Sequence, residues 1–180
     1  GFVDWGLMAH STVLLDPPWP ERGGGKIKRG ADRHYPVITT RAEMLRTILQ
    51  CPHWPPADDA HVYMWMTDNY TPWGMWLLEC MGVKVHRSLP WRKTGMGLGQ
   101  SFRGCHETMW FGTIGRGFSV KTDVTLRTDA LLDLKWRGRH SEKPPASYEL
   151  IEARSKGPYL EMFARSERPG WTSWGNEVDG

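Results

Sequence analysis

At 180 residues and 20.7 kDa the chain is long enough for one domain with a real core, taken as residues 1–180. It has no apolar run of about 18 residues and no basic-then-apolar leader, so neither a membrane span nor a secretory signal is expected. The three cysteines, Cys51, Cys80 and Cys105, make neither a disulfide framework nor a zinc site, which points to a reducing cytoplasm; no metal is expected. A formal charge of +3 says little about a polyanionic partner, but its distribution says more. Residues 84–104 hold Lys84, Arg87, Arg92, Lys93 and Arg103 with no acidic residue, and residues 135–143 add Lys135, Arg137, Arg139 and Lys143 against Glu142 alone. Local basic stripes of this kind are the footprint of a nucleic-acid binder, and they are also what ordinary solvated loops look like.

The apolar run Thr12-Val13-Leu14-Leu15 predicts a buried strand, and Asp16-Pro17-Pro18-Trp19 ends it, because two prolines cannot continue a strand. A carboxylate and an indole are thereby held on a stiff turn at the carboxyl edge of the sheet, where open α/β sheets bind ligands. Asp16 and the Pro17 carbonyl are acceptors there, beside a flat ring, which suits a planar base with an exocyclic amino group. Glu21 to Tyr35 is Gly-rich and basic and reads as a flexible loop. Thr40-Arg41-Ala42-Glu43 is a capping box for a helix with Met44, Leu45, Ile48 and Leu49 on one face. Ala60 to Met66 is a second buried strand. A helix from about Thr71 to Met81 follows, with Trp73, Trp76, Leu77 and Cys80 inward. Strands are expected at 83–91 and 105–113, with short edge strands at 118–120 and 124–126. Pro144-Pro145 opens a helix through Arg154; strands at 159–163 and 171–174 close the chain. This strand–helix alternation predicts an α/β fold, a mostly parallel twisted sheet with helices on both faces.

Seven blocks in order complete a pattern: Asp16-Pro17-Pro18-Trp19, His34-Tyr35-Pro36, Trp91-Arg92-Lys93-Thr94, His106 to Gly112, His140 to Pro144, Glu161 to Arg165, and Trp171 to Glu177. Together they resemble the adenine-N6 methyltransferases marked by Asp-Pro-Pro-Trp, a family that includes the eukaryotic messenger-RNA 6-methyladenine writers and small bacterial and phage relatives. The resemblance implies a Rossmann-like class I methyltransferase with circularly permuted motif order, the catalytic strand first and the cofactor strand last. It implies S-adenosylmethionine as cofactor and adenine in nucleic acid as substrate. DNA is favoured over RNA because the chain is small and shows no RNA-binding module, and a homo- or hetero-dimer is expected if a duplex is to be held.

Residue by residue, the resemblance makes Asp16, Pro17, Pro18 and Trp19 catalytic. Hydrogen bonds from the amino group to Asp16 and the Pro17 carbonyl would localise its lone pair, and Trp19 would stack on the base, worth roughly 1–3 kcal/mol. Asp16, Lys143, Glu161, Arg165, Asn176 and Glu177 match cofactor contacts. An internal Glu161–Arg165 salt bridge would equally account for a carboxylate in an apolar strand. Tyr35 matches an aromatic near the target base or the cofactor and Glu107 a glutamate near the target pocket, while Arg92, Lys93 and Arg103 read as phosphate contacts on a substrate loop. Two departures bear on the cofactor site: Ser166-Glu167-Arg168 puts an acid where the family has a donor, and the wall the family builds for the cofactor adenine upstream of the first strand is expected either from Asp4-Trp5 or not at all. The competing expectations are a non-catalytic nucleic-acid-binding subunit and an enzyme acting on another amino group, such as cytosine N4 or a protein amide.

Overall fold

A computed structural model describes residues 9–21, 38–96, 101–117, 125–138 and 142–175. The strands are β1 (Thr12–Leu15), β2 (Ala60–Met66), β3 (Lys84–Arg92), β4 (His106–Ile114), β5 (Tyr159–Met162) and β6 (Trp171–Trp174); the helices are α1 (Arg41–Leu49), α2 (Thr71–Cys80) and α3 (Pro145–Arg154). The strands form one sheet in the order β3-β4-β2-β1-β5-β6. β1 is parallel to β2 and β5, and β5 to β6, whereas β4 runs antiparallel to both neighbours, β2 and β3. The sheet is therefore mixed. The expected edge strand at 118–120 lies outside the described residues, and 125–126 is irregular.

Alternation along the strands sorts the core into two layers. Val13, Leu15, Val62, Met64, Leu160 and Met162 pack with Met44 and Ile48 of α1 and Leu77 and Leu78 of α2. Leu14, Tyr63, Trp65 and Met109 face the other way, toward Ile151 of α3. Helices thus cover both faces, as the sequence predicts. The capping box forms as expected, with Glu43 N–H donating to Thr40 Oγ1 and Thr40 N–H to Glu43 Oε2.

The inward face of α2 differs from the expectation. Gly74, Leu77 and Leu78 are buried, whereas Trp73 and Trp76 are half-buried and Cys80 is exposed. Gly74 is why: a Cβ there would lie 2.3 Å from Met66 Sδ, so the helix turns its smallest residue to the sheet and sits close to it. Leu49, expected on the inner face of α1, is likewise exposed.

The carboxyl ends of β1, β2, β3, β5 and β6 all reach one edge. Because β4 is reversed, its first residues meet the same edge, with Trp91 opposite Glu107 and Arg92 opposite His106. Past β5, Phe163 takes a left-handed backbone (φ +64°), a conformation costing on the order of 1–3 kcal/mol that structures retain where it is over-determined. Gly175 seats directly on this turn, since a Cβ there would come within 2.5 Å of Ala164 O.

Candidate active site

Asp16 continues the alternation of Leu14, and Glu161 and Glu107 lie on the same α3-facing side of the sheet. The turn after Leu15 is fixed by Asp16 N–H donating to Met162 O (3.3 Å) and Trp19 N–H to Pro17 O (2.9 Å). Lys143, two residues before α3, comes down onto this edge from above. Its Nζ lies 3.1 Å from Asp16 Oδ1 and 3.0 Å from Glu107 Oε2, with the side chain only 9% exposed, and it sits 5.6 Å from the centre of the Trp65 ring. Lys93 pairs with the other oxygen of Glu107. Charges thus alternate along the edge, Asp16 to Lys143 to Glu107 to Lys93.

Burial is the largest influence on Asp16 and pushes its carboxyl above the ordinary range; Lys143 and Arg165 pull it down and Glu107 up without reversing the direction. Burial would raise Glu107 too, but Lys143 and Lys93 together hold it below the usual value and so ionised. Burial disfavours the charge on Lys143, and the two carboxylates more than restore it. The result is one buried ammonium clasped between two carboxylates.

A second group stands beside the first. Glu161 is 6% exposed, and Tyr148 of α3 donates its hydroxyl to Glu161 Oε1 at 2.7 Å. Burial pushes the Glu161 carboxyl up to about 7 against the opposing pull of Tyr148; Asp16 raises it further and Arg168 lowers it. Arg168 stacks on Tyr148, 3.6 Å from the ring centre. Ser173, opposite Glu161 in the register, has a buried hydroxyl without a hydrogen-bond partner among the described residues.

The folded pKa of Glu161 lies above the ordinary 4.5, so its ionised form is the one folding penalises. Stability is greatest with the group protonated, falls as pH rises from about 4.5 to about 7, and is level above that. Glu161→Gln should remove a decline on the order of 2–3 kcal/mol from this window. Urea unfolding of both proteins at about pH 5 and about pH 8 measures it; parallel pH profiles would contradict the assignment.

Trp19 is held more tightly than a free stacking platform. Its Nε1 donates to Trp65 O (3.1 Å), and its ring stacks on Tyr70 (5.8 Å between centroids, 12° between planes), whose hydroxyl donates to Pro20 O (2.6 Å). One face of the indole is therefore covered by Tyr70.

The structure brings together Asp16, Glu107, Lys143 and Lys93, with Glu161 beside them. Arg165 is exposed and close enough to act electrostatically on Asp16. Glu161 accepts from Tyr148, and the alternative Glu161–Arg165 salt bridge does not form. Arg92 turns away to Asp133 (2.6 Å) and Leu132 O (3.1 Å), and Arg103 is exposed on the β3–β4 loop. Tyr35, Asn176 and Glu177, the loop residues 22–35 and Asp4-Trp5 lie outside the described residues. Sequence reasoning missed Tyr148, Tyr70 and Trp65. Only the position of Tyr148, one helical turn into the segment after Lys143, offered a signal.

Asp16 thus stands on a Pro-Pro turn at the edge where five strands of a mixed α/β sheet end, paired there with Lys143. The MT-A70 family model matches residues 10–177, and the chain belongs to that family of adenine-N6 methyltransferases. Over 40 residues the chain is 58% identical to the N(6)-adenine-specific methyltransferase METTL4 of Homo sapiens and 52% identical to that of Mus musculus. Each match covers 22% of this chain and 8% of the relative's length.

Proposed function

We propose that the chain transfers a methyl group from S-adenosylmethionine to the N6 amino group of adenine in nucleic acid, with DNA as the preferred polymer and RNA as the alternative. The observation that carries this reading is Asp16, a largely buried acceptor on a turn stiffened by two prolines, its Oδ1 held by Lys143. The strand order, with the Asp16 strand in mid-sheet and the Glu161 strand late in the chain, supports a Rossmann-like methyltransferase with permuted motif order.

The residues at the β5–β6 end suit a hydroxyl-bearing, cationic cofactor. Glu161 is a buried carboxylate, Ser173 carries an unpartnered buried hydroxyl, and Phe163 and Gly175 hold the backbone in a tight turn next to them. Glu161, Ser173 and Arg165 would hold the cofactor, and bound S-adenosylmethionine supplies a methyl carbon on a positively charged sulfur. The chain's own work is on the nucleophile. An adenine amino group is a poor one, because its lone pair is delocalised into the ring. Asp16 and the Pro17 carbonyl accept its two N–H groups, the latter with a second lone pair beyond the bond from Trp19. Both acceptors favour the positive charge that grows on nitrogen in the transition state. The raised pKa of Asp16 suits its carboxylate to take the proton shed afterwards. Lys143 keeps that carboxylate oriented and is itself fixed by Glu107.

The test is tritiated-methyl transfer to DNA and RNA oligomers, followed by nucleoside mass spectrometry. The expected product is 6-methyladenine, with more label in DNA. Label on another nucleoside, or none, would overturn the reading.

A further inference from the structure

The β3–β4 loop, residues 93–105, is closed at its base by Lys93 N–H donating to Cys105 O (2.7 Å). Glu107, two residues beyond, is gripped by Lys93 and Lys143. The loop therefore leaves the sheet from the same charged edge that holds Asp16. Near its end stands Phe102, 87% exposed, the most exposed large hydrophobic side chain among the described residues. Met96 on the outgoing arm is also exposed. The residue before Phe102, Ser101, is left-handed (φ +60°), a turn that a non-glycine residue rarely makes. Phe102 adds nothing to the core, and exposing a ring of this size is unfavourable.

The surroundings indicate what covers it. Exposed Arg103 adjoins it, and residues 84–104 contain no acid. Among the described residues of this loop the exposed apolar side chains Met96 and Phe102 stand apart, and Phe102 has the exposed cation Arg103 beside it, a pairing that suits a polyanion better than an apolar protein face. It offers a duplex both phosphate contacts and an apolar wedge. Adenine N6 in a duplex is engaged in pairing, so the base must leave the stack before it reaches Asp16, and a gap opens behind it.

We propose that Phe102 is that wedge: it enters a nucleic-acid duplex beside the target adenine and fills the space the base vacates. The inference rests on the proposed adenine methylation at Asp16 and specifies how a duplex is opened for it. Arg103 binds the adjoining phosphate, and the clasp at the loop base keeps the wedge in step with the acceptor carboxylate.

Two measurements test it separately from the chemistry. In the first, duplexes carry 2-aminopurine in place of adenine in each flanking-base context, and fluorescence is read on adding protein without cofactor. The expected result is a rise for the wild-type chain that Phe102→Ala largely abolishes and Phe102→Trp restores. No rise with the wild-type chain, or an equal rise with Phe102→Ala, would overturn the wedge. In the second, methyl transfer is compared on plasmid duplex and on the same DNA denatured to single strands. Phe102→Ala should lower the duplex-to-single-strand rate ratio by about tenfold or more, and an unchanged ratio overturns the wedge. Absent methyl transfer with an intact Phe102-dependent fluorescence rise would sink the catalytic reading and leave the wedge standing. If Phe102→Ala instead converts a dimer to a monomer in sedimentation with fluorescence unchanged, Phe102 is a subunit contact and the proposal fails.

Discussion

Asp16→Ala should lower 6-methyladenine formation by about 10³-fold or more, while leaving the fold and cofactor affinity close to those of the parent chain. The rate falls because one substitution removes both an acceptor for the amino N–H and the group placed to take the proton. The fold survives because Lys143 keeps Glu107 as its partner at 3.0 Å, so no buried ammonium is stranded. Asp16→Asn retains a side-chain oxygen without the charge and should fall between the two. Label incorporation with mass spectrometry gives the rate, and calorimetry with S-adenosylmethionine gives the affinity. A yield of 6-methyladenine in Asp16→Ala equal to that of the parent would sink the mechanism; loss of cofactor binding would move Asp16 from the base to the cofactor.

Lys143→Met should act in the opposite way, mainly on stability. It leaves Asp16 and Glu107 as largely buried carboxylates deprived of their shared cation. Removing one partner from a buried ion pair costs about 3–5 kcal/mol, which for a chain of this size corresponds to a fall of roughly 6–20 °C in Tm. The sign of its pH dependence is fixed as well. Without Lys143 the folded pKa of both acids rises, so the folded state holds protons that the unfolded state has released. The deficit should be full near neutral pH and shrink in mildly acidic buffer as the acids protonate. Adding Glu107→Gln should recover part of the loss, and the coupling between the two positions should exceed about 1 kcal/mol. Thermal unfolding of the single and double variants at two pH values decides it, and strictly additive losses would argue against a shared clasp.

Much of this was legible in the sequence where the determinant is local. Two prolines after four apolar residues can end a strand in few ways, so the position of Asp16 follows from covalent geometry. The capping box at Thr40 and Glu43 and the Pro-Pro start of α3 are equally local. The clasp is not local. Lys93, Glu107 and Lys143 meet only because β4 is reversed and α3 crosses the sheet, and charge spacing along the chain carries no trace of that. Hence Lys93 read as a phosphate contact although it pairs with Glu107, and Arg92 as its equal although it turns to Asp133. The inner face of α2 was misread for a related reason: helical periodicity ranks large apolar residues inward, whereas Met66 demands a glycine there. Nothing near Trp19 in sequence shows Tyr70 lying against one face of its ring.

The reversal of β4 has a consequence for how such a protein can be altered. A strand that begins at the working edge returns the chain to the place it left, and Lys93 N–H donating to Cys105 O joins the outgoing chain to the returning one. Altering the chain between Lys93 and Cys105, with those two residues kept, need not disturb the register of the sheet or the charged edge around Asp16. With Phe102 as the proposed wedge, transplanting residues 101–104 between relatives is expected to alter duplex engagement while the charged edge that holds Asp16 stays in place.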